Sequence, residues 1–119
     1  MFAITKEFTF DAAHYLTKYH GKCEALHGHT YKLQITVEGK RNEDDMVLDF
    51  ALMKSIVKEH VLDILDHTSL NDLFEQPSTE NIAYWIWNKL EKELQGQDYH
   101  LSEVRLWETP TSFVAYREK

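Results

Sequence analysis

The feature that most constrains this chain is a change of hydrophobic period partway along it. Phe2, Ile4, Phe8 and Phe10 alternate with polar neighbours, interrupted by Lys6, and Tyr31, Leu33, Ile35 and Val37 alternate with Thr30, Lys32, Gln34, Thr36 and Glu38. Successive side chains of a strand point to opposite faces, so each run describes a strand with one face buried. From Phe50 to about Leu65 the apolar positions become Leu52, Met53, Ile56, Val57, Val61 and Ile64, which is helical spacing, with Asp49 placed as the N-cap. A second helix follows Pro77-Ser78-Thr79, where Ile82, Ile86, Leu90 and Leu94 form one stripe beside Ala83 and Trp87. Such a stripe is core packing. Val104-Arg105-Leu106-Trp107-Glu108 and Phe113-Val114-Ala115-Tyr116 then close the chain as two strands around the turn Thr109-Pro110-Thr111. The order is β-β-α-α-β-β, an α+β arrangement in which a four-stranded antiparallel sheet carries both helices on one face. A sheet of this kind has two edges, and self-association through strands is the expected way to satisfy them.

At 119 residues, with 43% hydrophobic and 13% aromatic content, the chain suffices for one packed domain, residues 1–119, and no linker, repeat or low-complexity segment divides it. Net charge is −7, and the thirteen Lys and Arg are dispersed, so an electrostatic footprint for nucleic acid is lacking. The opening MFAITKEF has neither the basic nor the apolar region of a secretory leader, and no apolar run approaches the roughly 20 residues of a membrane span. With a single cysteine, Cys23, no internal disulfide can form, and a reducing cytoplasm is the compartment that fits.

His14 stands near the end of the first strand, and His27-Gly28-His29 leads into the second. Residues at i and i+2 of a strand share a face, so His27 and His29 can converge on one ion while an antiparallel neighbour delivers His14. Three imidazoles suit Zn²⁺ and leave a tetrahedral position open for water or substrate. The plainer alternative is polar surface histidine. His20, His60 and His100 lack such company and read as solvent-facing.

Four further residues have chemistry to offer. Cys23, in a C-x3-H-G-H string, would lose its proton readily beside a cation and serve as base or nucleophile. It is equally describable as a small buried hydrophobe, or as a fourth zinc ligand that closes the site and makes it structural. Asp66 beside His67 can fix an imidazole tautomer for proton transfer, although a bare Asp-His pair also suits a helix end. Glu108 falls on the same strand face as Val104 and Leu106, where a carboxylate needs donors. A ligand with paired N–H groups, such as the 2-amino-4-oxo-pyrimidine edge of a pterin or guanine, would supply them. So would an internal partner such as Arg105 or a lysine, or solvent at a fraying strand end.

Taken in order, Phe10-Asp11-Ala12-Ala13-His14 and Cys23-Glu24-Ala25-Leu26-His27-Gly28-His29-Thr30-Tyr31 resemble the 6-pyruvoyl-tetrahydropterin synthase family. Val47-Leu48-Asp49-Phe50, Leu65-Asp66-His67-Thr68-Ser69-Leu70-Asn71, Pro77-Ser78-Thr79-Glu80-Asn81 and Glu108-Thr109 are similar to its later motifs, with Ser78 where Thr is usual. The resemblance implies the tunnelling fold, in which trimers close a β-barrel and two trimers stack into a hexamer with active sites between subunits. It implies zinc held by His14, His27 and His29, proton transfer by Cys23, Asp66 and His67, and a pterin anchored by Glu108 with Thr109. The three residues between Cys23 and His27 resemble the queuosine-pathway members, which make 6-carboxy-5,6,7,8-tetrahydropterin from 7,8-dihydroneopterin triphosphate, releasing acetaldehyde and triphosphate. Pyruvoyl-forming members typically have five. Glu24 begins an overlapping E-x-x-H-G-H string like that of relatives that cleave the side chain to 6-hydroxymethyl-dihydropterin for folate, so that activity stays open. Lys18 and Lys22 are candidates to meet the phosphates.

Overall fold

A computed structural model describes residues 1–16 and 26–118, with the backbone alone at position 27. Strands β1 (Phe2–His14) and β2 (His27–Gly39) form a long antiparallel pair running in unbroken register from Phe2 opposite Gly39 to His14 opposite His27. The expected helix from Phe50 to Leu65 forms as α1 (Phe50–Val57), a π-helical turn (Lys58–Leu62) and α2 (Asp63–Leu65). Met53, Val57, Val61 and Leu65 are all fully buried and stand four residues apart. In a regular α-helix each four-residue step would rotate about 40° away from the core, and a wider π turn offsets that drift. Asp49 caps α1 by accepting the Ala51 N–H at 2.8 Å.

After α2 come β3 (Thr68–Ser69) and a 3₁₀ turn (Leu70–Asp72), then α3 (Thr79–Leu90), β4 (Tyr99–Thr109) and β5 (Ser112–Tyr116). Ser78 caps α3 through the Asn81 N–H, as its position before the helix predicts. The sheet order is β3-β1-β2-β4-β5. This is one strand more than the expected four, and the sheet is mixed, because β3 pairs parallel to β1 at Ala12 and Ala13. Two residues are too few for alternation to show in a sequence.

Phe10, Tyr31, Leu33, Ile35, Val37, Val104 and Leu106 line the covered face of the sheet, and Met53, Val57, Ile82, Ile86 and Leu90 cover them from the helices. The stripe on α3 is therefore core, with Leu94 just beyond the helix also fully buried. Among the described residues no helix is long and apolar enough to cross a membrane.

Candidate metal centre and adjoining clefts

The buried face of the sheet turns polar at one end, where β1, β2 and β4 lie side by side. His14 is the last residue of β1 and is 2% exposed; His29 lies opposite Ala12 on β2; Glu108 is the penultimate residue of β4. The His14 and His29 rings are 5.0 Å apart between centroids. Both turn Nε2 toward the same carboxylate oxygen, Glu108 Oε1, at 4.0 Å and 3.4 Å respectively. One ligand atom from each of the three lies within 4.8 Å of the others. Ligand atoms about 2.1 Å from a tetrahedral ion stand about 3.4 Å apart, so small side-chain rotations would close this set around one Zn²⁺. Two imidazoles and a carboxylate are the right donors for it.

Two buried hydroxyls hold this cluster from behind. The Tyr31 hydroxyl is hydrogen-bonded to His14 Nδ1 at 2.7 Å, and its ring stacks on Phe10 with centroids 5.0 Å apart. Burial, and secondarily the negative charge of Glu108, push the Tyr31 phenol above its ordinary pKa, so it remains a neutral hydroxyl. Thr79, in the first turn of α3, donates its hydroxyl to Glu108 Oε2 at 2.5 Å. Glu108 thus faces the histidines with one oxygen and α3 with the other. Its internal partner is not Arg105, which pairs with Glu103 through Nε and a terminal nitrogen, both at 3.1 Å. Glu108 and Thr109 also border a cleft of about 310 Å³ with Thr79, Glu80, Ser112 and Phe113.

On the other side of His29, a shallow cleft of about 540 Å³ is shared by His29, Asp11, His67 and Thr68. The Asp66-His67 pair is docked onto β1 by two hydrogen bonds: the His67 N–H donates to the Asp11 carbonyl at 2.6 Å, and the Asp11 N–H donates to Asp66 Oδ1 at 2.9 Å. The other oxygen, Asp66 Oδ2, is 3.5 Å from His67 Nε2. His67 has a left-handed backbone, φ 60°, and its ring is 78% exposed over the cleft. An imidazole held there beside a carboxylate can take up and return a proton.

Of the residues singled out in the sequence, His14, His29 and Glu108 are brought together, and His67, with Asp66 beside it, lines the cleft that His29 borders. The His27 backbone lies opposite His14, while its side chain, together with Lys18, His20, Lys22, Cys23 and Glu24, lies outside the described residues. His100 is exposed as expected, but His60 is half-buried between Glu59 and Glu93, at 3.1 and 3.3 Å. The sequence did not point to Tyr31 or Thr79 as site residues. Tyr31 reads as one more apolar position in an alternating strand, and Thr79 as part of a helix start. Only the fact that Tyr31 is two residues from His29, on the same face, could have marked it.

Known proteins place the chain in context. The family described as 6-pyruvoyl tetrahydropterin synthase matches residues 3–119. The 6-carboxy-5,6,7,8-tetrahydropterin synthase of Haemophilus influenzae is 41% identical, over 99% of this chain and 100% of its own. The dihydroneopterin monophosphate aldolase of Pyrococcus furiosus is 42% identical over 84% of this chain and 83% of its own. Among solved structures, the 6-pyruvoyl tetrahydropterin synthase of Caenorhabditis elegans superposes with a TM-score of 0.84 over 99% of this chain and 96% of its own; at 24% identity it bears on the fold alone.

Proposed function

Because this chain belongs to the 6-pyruvoyl tetrahydropterin synthase family, we propose that it is a 6-carboxy-5,6,7,8-tetrahydropterin synthase. It would act as a single domain, residues 1–119, in the cytoplasm, as a Zn²⁺-dependent lyase that consumes 7,8-dihydroneopterin triphosphate and water and releases acetaldehyde and triphosphate. The observation that carries the reading is the convergence of the His14 and His29 Nε2 atoms on one Glu108 oxygen, at 4.0 and 3.4 Å. The relative named for this reaction, alike over the full length of both chains, supports it.

In this reading His14 and His29, with His27 two residues before His29, hold the ion. When bound, Zn²⁺ would supply Lewis acidity, lowering the pKa of the side-chain hydroxyls and the adjacent C–H. His67 moves protons across the cleft and Asp66 orients its ring; Cys23 is the second proton carrier. Glu108 accepts the paired N–H groups of the pterin, and Thr79 keeps that carboxylate turned toward the ligand. The β3 and β5 edges of the sheet support a homo-oligomer, proposed as a hexamer of two trimers. Incubation with 7,8-dihydroneopterin triphosphate should yield acetaldehyde, and prior removal of metal by a chelator should abolish it. Acetaldehyde formation undiminished in metal-free protein would refute the zinc reading.

Two observations favour second readings. Glu108 Oε1 is near enough to the histidine nitrogens to be a zinc ligand in its own right. Similarity to a dihydroneopterin monophosphate aldolase, with Glu24 in place, supports side-chain cleavage to 6-hydroxymethyl-dihydropterin as an alternative activity.

A further inference from the structure

We propose that Tyr31 is a positioning residue for the metal: its hydroxyl accepts the Nδ1–H of His14 and so fixes the tautomer that presents Nε2 to the ion. This rests on the reading of His14 as a zinc ligand. The geometry allows two arrangements of the 2.7 Å contact. If the phenol donates to Nδ1, the ring proton sits on Nε2, and the nitrogen turned toward Glu108 and His29 has no lone pair to offer. If Nδ1–H donates to the phenol oxygen, Nε2 carries the lone pair that an ion requires. Only the second arrangement binds an ion at the point where His14, His29 and Glu108 converge.

The surroundings make Tyr31 suited to this task. It is fully buried, its ring is fixed by stacking within 9° of parallel on Phe10, and it contacts both histidine rings edge-on. The oxygen therefore cannot swing away, and His14, itself buried, is held in orientation as well as tautomer. Partners of this kind behind a ligating histidine typically contribute 10–100-fold to metal affinity.

The test is zinc affinity by chelator competition on the full-length chain, comparing the parent, Tyr31→Phe and Phe10→Leu. Tyr31→Phe removes the acceptor but keeps the stacked ring, and about 10–100-fold weaker zinc is expected. Phe10→Leu disturbs the stack but keeps the hydroxyl, and should weaken zinc binding clearly less than Tyr31→Phe does. Equal affinity for parent and Tyr31→Phe would overturn the proposal, as would an equal loss in both variants, which would assign the effect to packing. A parent that takes up no zinc would instead refute the metal reading beneath it. Independently of any variant, long-range ¹H–¹⁵N spectra of the zinc-loaded parent should show His14 protonated at Nδ1; protonation at Nε2 would overturn the proposal.

Discussion

Glu108→Gln removes a charge while keeping the shape of the side chain, and its effect separates the two roles open to this residue. As the pterin acceptor, the carboxylate would offer two oxygens to two N–H donors. A hydrogen bond to a charged group contributes about 1.5–3 kcal/mol and a neutral one about 0.5–1.5 kcal/mol. The glutamine keeps one oxygen for one donor and turns its NH₂ against the other, so the loss should total about 2–4 kcal/mol, or roughly 30- to 1000-fold in affinity. The fold should be little affected. Glu108 is about one-third exposed, and the Thr79 hydroxyl that donates to Oε2 can rotate to accept from an amide. Pterin binding by fluorescence titration and zinc by elemental analysis are the assays. Weakened pterin binding with full zinc content is the expected result. Unaltered pterin affinity would refute the anchor, and loss of zinc with pterin affinity retained would make Glu108 a zinc ligand.

Other substitutions test the remaining parts of the account. His27→Ala and His29→Ala should each lose zinc by elemental analysis, and full metal content in both would exclude the histidine site. His67→Gly and His67→Ala should both be inactive, yet the glycine variant should unfold at higher denaturant, by about 1 kcal/mol, because only glycine adopts a left-handed backbone without cost. Ile86→Ala, in the fully buried stripe of α3, should destabilise the protein by about 2–5 kcal/mol in urea unfolding.

How much of this was legible in the sequence differs between elements. The β1–β2 pair and the stripe of α3 were legible because half-buried elements write their period into the chain, and Asp49 and Ser78 because a cap needs a side-chain acceptor at a fixed offset. The π turn was not, since Met53, Val57, Val61 and Leu65 fit a helix of either width. Nor was β3, whose two residues are set by the docking of Asp66-His67 onto the Asp11 main chain, a contact between segments far apart in the sequence. In the site, His14 and His29 were legible from strand spacing. The role of Tyr31 depends on where β1 ends relative to β2, and that of Thr79 on how α3 crosses the end of β4. Both depend on tertiary placement between distant segments, which local periodicity does not encode.

The product mixture from 7,8-dihydroneopterin triphosphate tests the central claim most directly. The parent protein should give 6-carboxy-5,6,7,8-tetrahydropterin with acetaldehyde, Cys23→Ala should give neither while keeping zinc and fold, and Glu24→Ala should still give both. 6-Pyruvoyl-tetrahydropterin as the main product, or a hydroxymethyl product that survives Cys23→Ala and vanishes in Glu24→Ala, would contradict it.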